Sequence, residues 1–253
     1  MKVFDFLNIL AILTVFTGTV TLVDFFLQKK QKSHFVIIEY CRSFFPIFLI
    51  VLIIRSFLFQ LYRVPTGSLE PTVMPGDLIF VSQYNYGLKL PLFDKVIFPM
   101  SHPSRGEIAL FRWPVNPKVT FVKRVVGLPG DHISYINKIF YINGHKASQH
   151  DSGNFSEDQG AGQYRSVTRY HENLLGTKHD ILINHDTVSP DFKNLVVPAG
   201  YYFMIGDNRD NSDDSRDWGF VPVNNFIGQA RFVWFNIQLS PFSVQWHRIG
   251  LTL

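Results

Sequence analysis

Two membrane-spanning helices followed by a mainly β, antiparallel and barrel-like domain with a small inserted subdomain: this is the fold class the sequence predicts. Three observations lead to it. Two long apolar runs fill the first 61 of 253 residues. Six short runs rich in Val, Ile, Phe and Tyr come after them, each bounded by Gly, Pro, Asp or Asn. Beyond residue 62 no stretch keeps a 3.6-residue apolar period for three turns.

The first apolar run, "FLNILAILTVFTGTVTLV" (6–23), has no charge, and with its flanks it extends over about 4–27. That is long enough for a hydrocarbon core of ~30 Å. Lys2 precedes it, as in a cleaved secretory signal, but no small-x-small cleavage site follows Val23, so the run reads as a retained span. The second span, 44–61, reads "FFPIFLIVLIIRSFLFQL", and its single charge, Arg55, snorkels toward the nearer interface. The connecting loop, 28–43, carries Lys29, Lys30, Lys32 and Arg42, against Lys2 alone before the first span. The positive-inside rule puts that loop in the cytoplasm and residues 62–253 on the far side. Residues 1–61 are therefore expected to be the anchor and 62–253 an exported domain.

In the exported part the predicted strands are "DLIFVS" (77–82), "EIALFRW" (107–113), "VTFVKRVVG" (119–127), "HISYINKIFYING" (132–144), "VVPAGYYFMIG" (196–206) and "GQARFVWFNI" (228–237). Between them, about 145–194 turns polar and reads as a loop or a small inserted subdomain. The aromatics of "FVWFN" (232–236) and Trp246 either rest on lipid or pack in the core.

Charge and cysteine content remove several function classes. The formal net charge is +4, and the basic residues after residue 62 are scattered rather than striped, which argues against nucleic-acid binding and suits an anionic membrane surface. One cysteine, Cys41, permits no intrachain disulfide and no CxxC metal or redox motif. The exported domain must stand on its core alone.

Three segments carry chemistry. In "RVPTGSLEPTVMPGD" (63–77), Ser68 sits among turn formers a few residues after the second span. Gly67 is expected to supply a backbone angle other residues resist, and Pro65 and Pro71 stiffen the approach. Such a serine is either an ordinary turn residue or a nucleophile held still. A nucleophile needs a base. The histidines beyond residue 62 fall mostly in polar, turn-rich contexts expected to be exposed, and nothing marks a triad. Lys123, in "TFVKRVVGLPGD", shares a strand face with Phe121 and Val125, toward the core. It is either an edge lysine that snorkels or a buried one whose desolvation favours the neutral form a general base requires. The third segment, "GDNRDNSDDSRDWGFVP" (206–222), resembles a calcium loop only until it is counted. From Asp210, Ser215 falls at the glycine position and Val221 at the closing glutamate, so no metal is expected. An Asp–Arg network bracing a loop accounts for the charges, with Asn211 and Ser212 able to orient a neutral lysine.

Together these segments resemble the bacterial type I signal (leader) peptidases. "VPTGSLEPT" looks like their nucleophile box, "RGEIALF" (105–111) like a following strand box, "FVKRVVGLPGD" like the general-base box, and "GDNRDNSDDSRDWGFVP" like the most distinctive box. "ENLLGTKHDI" (172–181) and "RIG" (248–250) match as well, so the resemblance covers essentially the whole chain. It implies a serine–lysine dyad, with Ser68 as nucleophile and Lys123 as base. The Ser68 backbone N–H and the Thr66 hydroxyl would form the oxyanion hole, Ser212 would orient Lys123, Asp214 and Arg216 would brace the loop, and Gly206 would let the chain pass close. It further implies cleavage of exported pre-proteins after small residues of the Ala-x-Ala type, with Val64, Pro65, Phe121 and Val122 as candidates to line the pockets. No cofactor is implied. The implied location is the bacterial inner membrane with the catalytic domain on the periplasmic side, near lipid and the export machinery. Leu69 and Phe121 depart from the family's usual methionine and tyrosine, and the cysteine pair of some members is absent. Two other readings compete: a non-catalytic membrane-anchored β module that binds exported proteins, and a self-cleaving serine–lysine protease.

Overall fold

The computed structural model describes residues 3–27, 36–89, 96–98, 100–160, 163–239 and 242–253. The chain opens with helices α1 (Val3–Leu27) and α2 (Val36–Ile53), a π-helical turn (Ile54–Leu58) and strand β1 (Phe59–Arg63). Strands β2 (Asp77–Ser82), β3 (Leu88–Lys89), β4 (Val96–Phe98), β5 (Ile108–Arg112), β6 (Thr120–Gly127), β7 (His132–Ile136), β8 (Ile139–Ile142) and β9 (His145–Lys146) come next. Then come β10 (Ser148–Gly160), β11 (Gln163–Leu174), β12 (Thr177–Ile183), β13 (Phe192–Val196) and β14 (Tyr201–Ile205). A one-turn helix α3 (Ser215–Trp218) precedes β15 (Val221–Pro222), β16 (Phe226–Leu239) and β17 (Phe242–Val244).

These residues form two compact units: Met1–Gln60 with Leu88–Phe98, and Leu61–Gly87 with Pro99–Leu253. The paired strands β3 and β4 belong to the same unit as the helices. Two stretches, Asn8–Leu27 and Val36–Ser56, are long and apolar enough to cross a membrane. The second helix thus begins earlier than Phe44 and ends before Leu61, because the end of the apolar run falls in strand β1, Phe59–Arg63. Ser68 is correspondingly further along the chain from the end of that span than the sequence reading allowed. Arg42, counted as a loop charge, lies inside α2 and pairs with Asp24 of α1 at 2.6 Å. Neutralising the charge this way lets the helix extend across it. The other charges used for orientation, Lys29, Lys30 and Lys32, lie outside the described residues.

In the larger unit the main sheet is eight-stranded, mostly antiparallel and curled into a half-barrel, in the order β1-β2-β16-β5-β6-β14-β15 with β17 on β16. The sequence shows why β5 sits at its centre. Its run Ile-Ala-Leu-Phe is apolar on both faces, and alternation sends Ile108 and Leu110 to one core and Ala109 and Phe111 to the other. The first core adds Val64, Leu69, Val73, Val122 and Val233; the second adds Val125, Met204 and Phe226. Each fully buried Leu, Ile or Phe contributes roughly 1.5–3 kcal/mol, so the two layers make the sheet a rigid platform. A four-stranded sheet, β13-β7-β8-β9, covers a third core around Ile133, Tyr135, Phe140 and Phe203. Its β7–β8 turn is Asn137-Lys138, both left-handed at φ 49° and 63°, as a two-residue hairpin needs.

The polar stretch expected as a loop or a small inserted subdomain is largely strand: β10, β11 and β12 form a three-stranded antiparallel sheet. Its residues have no apolar alternation because much of both faces meets water; Glu157 and Val167 are among the few buried side chains of β10 and β11. Of the aromatics with two readings, Trp234 and Trp246 are 52% and 70% exposed, so neither is core, while Val233, the residue before Trp234, is buried.

Candidate active site

The segment carrying Ser68 is fixed from several sides. At its base Val64 N–H donates to the Asp77 carbonyl and Gly76 N–H to the Val64 carbonyl, both at 2.8 Å, closing the loop. Arg248 reaches in from the C-terminal turn, donating to Asp77 Oδ2 at 2.6 Å and to the Thr72 carbonyl at 3.0 Å. Leu69 and Val73 anchor the loop in the first core. On the far side Asn208 takes hold of it, its N–H donating to the Ser68 carbonyl at 3.1 Å and its side-chain amide to the Gly67 carbonyl at 3.2 Å. Thr66 Oγ1 stands 3.5 Å from Ser68 Oγ. Gly67 does not take the left-handed angle the sequence suggested, and a Cβ there would stand 2.9 Å from the Glu70 carboxyl carbon, at the movable end of that side chain.

Lys123 comes from β6, between β5 and β14. The strand is buried on both faces here, so Lys123 and Arg124 are both interior, each 4% exposed. They meet different surroundings. Arg124 forms a bidentate pair with Asp207, at 2.7 and 2.6 Å, and Asp207 also accepts from the Thr72 hydroxyl at 2.6 Å. Lys123 faces no such partner. Its Nζ lies 5.8 Å from the Phe121 ring centroid and donates to Ser212 Oγ at 2.9 Å. Burial lowers its pKa to about 8, against the opposing pull of Asp214 and Asp213.

The loop after β14 makes this arrangement possible. Ser212 donates its hydroxyl proton to Asp214 Oδ2 at 2.8 Å, so its lone pairs face Lys123. Asp214 also accepts from Gly206 N–H at 3.1 Å and from Arg216 Nε and Nη2, both at 2.8 Å, and it caps α3. Its burial would push the carboxyl up, but Arg216 holds it below the ordinary range. Gly206 is where the two halves meet. A Cβ on it would stand 2.2 Å from Ser212 Oγ and 2.4 Å from the Ser68 carbonyl oxygen, so only glycine lets the Ser68 loop lie against the lysine's partner.

Among the residues read from sequence, the structure thus gathers Ser68, Thr66, Gly206, Ser212, Asp214, Arg216 and Lys123 in one region. Asn211 differs: its amide donates to Glu157 at 2.7 Å, not to the lysine. The pocket candidates divide. Val64 and Val122 are buried in the first core, Pro65 is exposed, and Phe121 stacks on Trp113 at 5.3 Å.

With this geometry in view, the chain was compared with known proteins. Residues 37–235 match the family model for signal peptidase, peptidase S26. The chain belongs to the signal peptidase S26 family. It is 38% identical over 239 residues to signal peptidase I of Pseudomonas aeruginosa, covering 89% of this chain and 82% of that one. Against signal peptidase I of Pseudomonas fluorescens the identity is 39% over 234 residues, covering 87% and 80%. A solved signal peptidase I from Enterococcus faecalis V583 is 30% identical and covers 50% of this chain and 95% of its own, but its TM-score of 0.34 is too low to bear on the fold. Membership makes the chain a serine peptidase with two helices able to anchor it in a membrane.

Sequence reasoning missed the buried charges behind the family's boxes. Arg209 pairs with Glu172, and His179, whose side chain is buried despite its polar context, stands 3.2 Å from Glu172. The signal was present in "ENLLGTKHDI", where an acid and a histidine recur in a strand, but only pairing β11 with β12 sets Glu172 opposite His179.

Proposed function

We propose that the chain is a membrane-anchored endopeptidase that removes N-terminal signal peptides from exported pre-proteins, with Ser68 as nucleophile and Lys123 as general base. One observation carries the assignment: a buried lysine, its pKa lowered to about 8, is fixed by Ser212, and Gly206 brings the Ser68 backbone against that same hydroxyl. The neutral amine of Lys123 takes the proton from Ser68 Oγ as the oxygen attacks the scissile carbonyl. The Ser68 N–H and the Thr66 hydroxyl stabilise the resulting oxyanion. Lys123 then gives its proton to the leaving amine, and the acyl-enzyme remains on Ser68. That amine is the new N-terminus of the mature protein; a water deprotonated by Lys123 then attacks the ester, releases the signal peptide as a carboxylate and, with the proton returned to Oγ, regenerates the serine. On this reading shallow apolar pockets select small residues before the cut by rejecting bulk.

On this reading the active domain lies outside the bacterial inner membrane, on the periplasmic side, where the export machinery delivers its substrate. The test is cleavage of a pre-protein with an Ala-x-Ala site by the detergent-solubilised chain and by Ser68→Ala. Loss of cleavage by several orders of magnitude in a folded Ser68→Ala supports the assignment; wild-type rates in that variant exclude it.

A further inference from the structure

The β10–β11 hairpin carries a buried carboxylate that the mechanism above leaves unused. Glu157 is fully buried and accepts four hydrogen bonds. Its Oε1 takes Asn208 Nδ2 at 2.5 Å and Asn211 Nδ2 at 2.7 Å; its Oε2 takes Arg165 Nε at 3.0 Å and Nη2 at 2.6 Å. Asn208 is the residue that grips the Gly67 and Ser68 carbonyls. We infer that Glu157 is a positioning residue for the nucleophile, acting through the Asn208 amide. The inference rests on the reading of Ser68 as that nucleophile.

The physical chain has three links. Burial alone would push the Glu157 carboxyl up, but hydrogen bonds from Asn208, Arg165 and Asn211 more than offset it and hold the group ionised. An ionised carboxylate only accepts, so Asn208 must turn its NH2 toward it, and that NH2 also serves the Gly67 carbonyl. A flipped amide would set its oxygen against both acceptors. The Gly67 carbonyl and the Ser68 N–H belong to one planar peptide group, so fixing the oxygen fixes the direction of the N–H. Glu157 therefore sets the aim of the oxyanion donor from a strand remote in sequence.

The experiment measures kcat and KM for a pre-protein with an Ala-x-Ala site, together with thermal unfolding, using the full detergent-solubilised chain. In Glu157→Gln the remaining carbonyl oxygen still accepts from both Asn amides, the NH2 in place of Oε2 turns the partly exposed Arg165 out to water, and kcat is expected to stay within about threefold of wild type. In Glu157→Met the amide is released. Outright loss of an oxyanion donor costs about 10²–10³ in kcat, so a misaimed donor is expected to cost roughly tenfold or more with KM nearly unchanged. Arg165→Met removes the hairpin's ion pair but leaves the amides held, and its kcat is expected to match wild type. Arg165 is partly exposed and can meet water in Glu157→Met, which favours folding of that variant. Should it still not fold, Asn208→Ala removes the same grip from the other side and is expected to lose kcat to the same degree. Wild-type kcat in a folded Glu157→Met, or in Asn208→Ala, overturns the inference, as does an equal loss in Arg165→Met. Those outcomes leave Ser68 in place. Wild-type cleavage by Ser68→Ala removes both assignments together.

Discussion

Changing the pH across the titration of Lys123 tests the base assignment most directly. With a pKa of about 8, set mainly by burial, the neutral amine is about one tenth of the population at pH 7. At the ordinary lysine value of 10.5 it would be about 0.03%. The difference, about 300-fold in available base, corresponds to about 3 kcal/mol. If Lys123 is the general base, activity requires the deprotonated form and kcat/KM must rise with pH. From the lowered pKa we expect roughly a tenfold rise from pH 6 to 7, fivefold from 7 to 8, and less than twofold from 8 to 9. The assay is initial-rate cleavage of a pre-protein in detergent, with substrate well below KM and enzyme stability checked at each pH. A rise that continues past pH 10 would refute desolvation of the lysine. A plateau reached near pH 6.5 would point to a histidine and refute the dyad.

Three further perturbations follow from the same geometry. Lys123→Met should abolish cleavage yet stabilise the fold at pH 7 by up to about 3 kcal/mol, because it removes a cation whose burial is unfavourable. The sign follows from the lowered pKa: the unfolded chain binds the extra proton, so the wild type gains stability from about pH 8 to 10.5 and the variant's advantage fades over that window. Urea midpoints of both proteins against pH read this, and an advantage that stays constant with pH would contradict it. Gly206→Ala drives a methyl group into Ser212 Oγ and the Ser68 carbonyl, at 2.2 and 2.4 Å, and should cost about 100-fold in kcat, since displacements of about 1 Å at a reacting centre do so. Ser212→Ala deprives Lys123 of its acceptor and should lower kcat by roughly 10- to 100-fold with little change in KM; an unchanged kcat would show that the lysine needs no such guide.

Much of the fold was legible because burial writes itself into strand composition. Asp77–Ser82 was delimited by its turn residues, and the run at 107–113 shows by continuous apolarity that β5 is covered on both sides. The β10–β11 hairpin was not legible, since a strand washed by water on much of both faces needs no alternation; its register sets Glu157 opposite Arg165, a cross-strand ion pair that only the pairing reveals. The start of α2 was hidden for a related reason: Arg42 looked like a loop charge until Asp24 was found beside it. At the site, residue type and order marked Ser68, Lys123 and the 206–222 loop. What composition could not reveal is which amide goes where. Asn211 and Ser212 are neighbours in sequence, yet one serves Glu157 and the other Lys123.

That separation bears on how a lysine can be left unpaired among so many acids. Asp214, Asp213 and Asp207 all raise the Lys123 pKa, and acting alone they would keep the amine protonated at neutral pH. Each of the two buried ones is already committed, Asp207 to Arg124 and Asp214 to Arg216. The arginines therefore do more than brace a loop. They take up the carboxylates' charge, so that Lys123 receives from Asp214 only an indirect contact, through the Ser212 hydroxyl. Pairing buried ions in this way adds little net stability, because desolvating both partners offsets most of their attraction. Its effect lies in the one cation left over. If Lys123 is the base, a site that buries it with two carboxylates can leave it neutral only where those carboxylates are satisfied elsewhere, and here Arg124 and Arg216 do so.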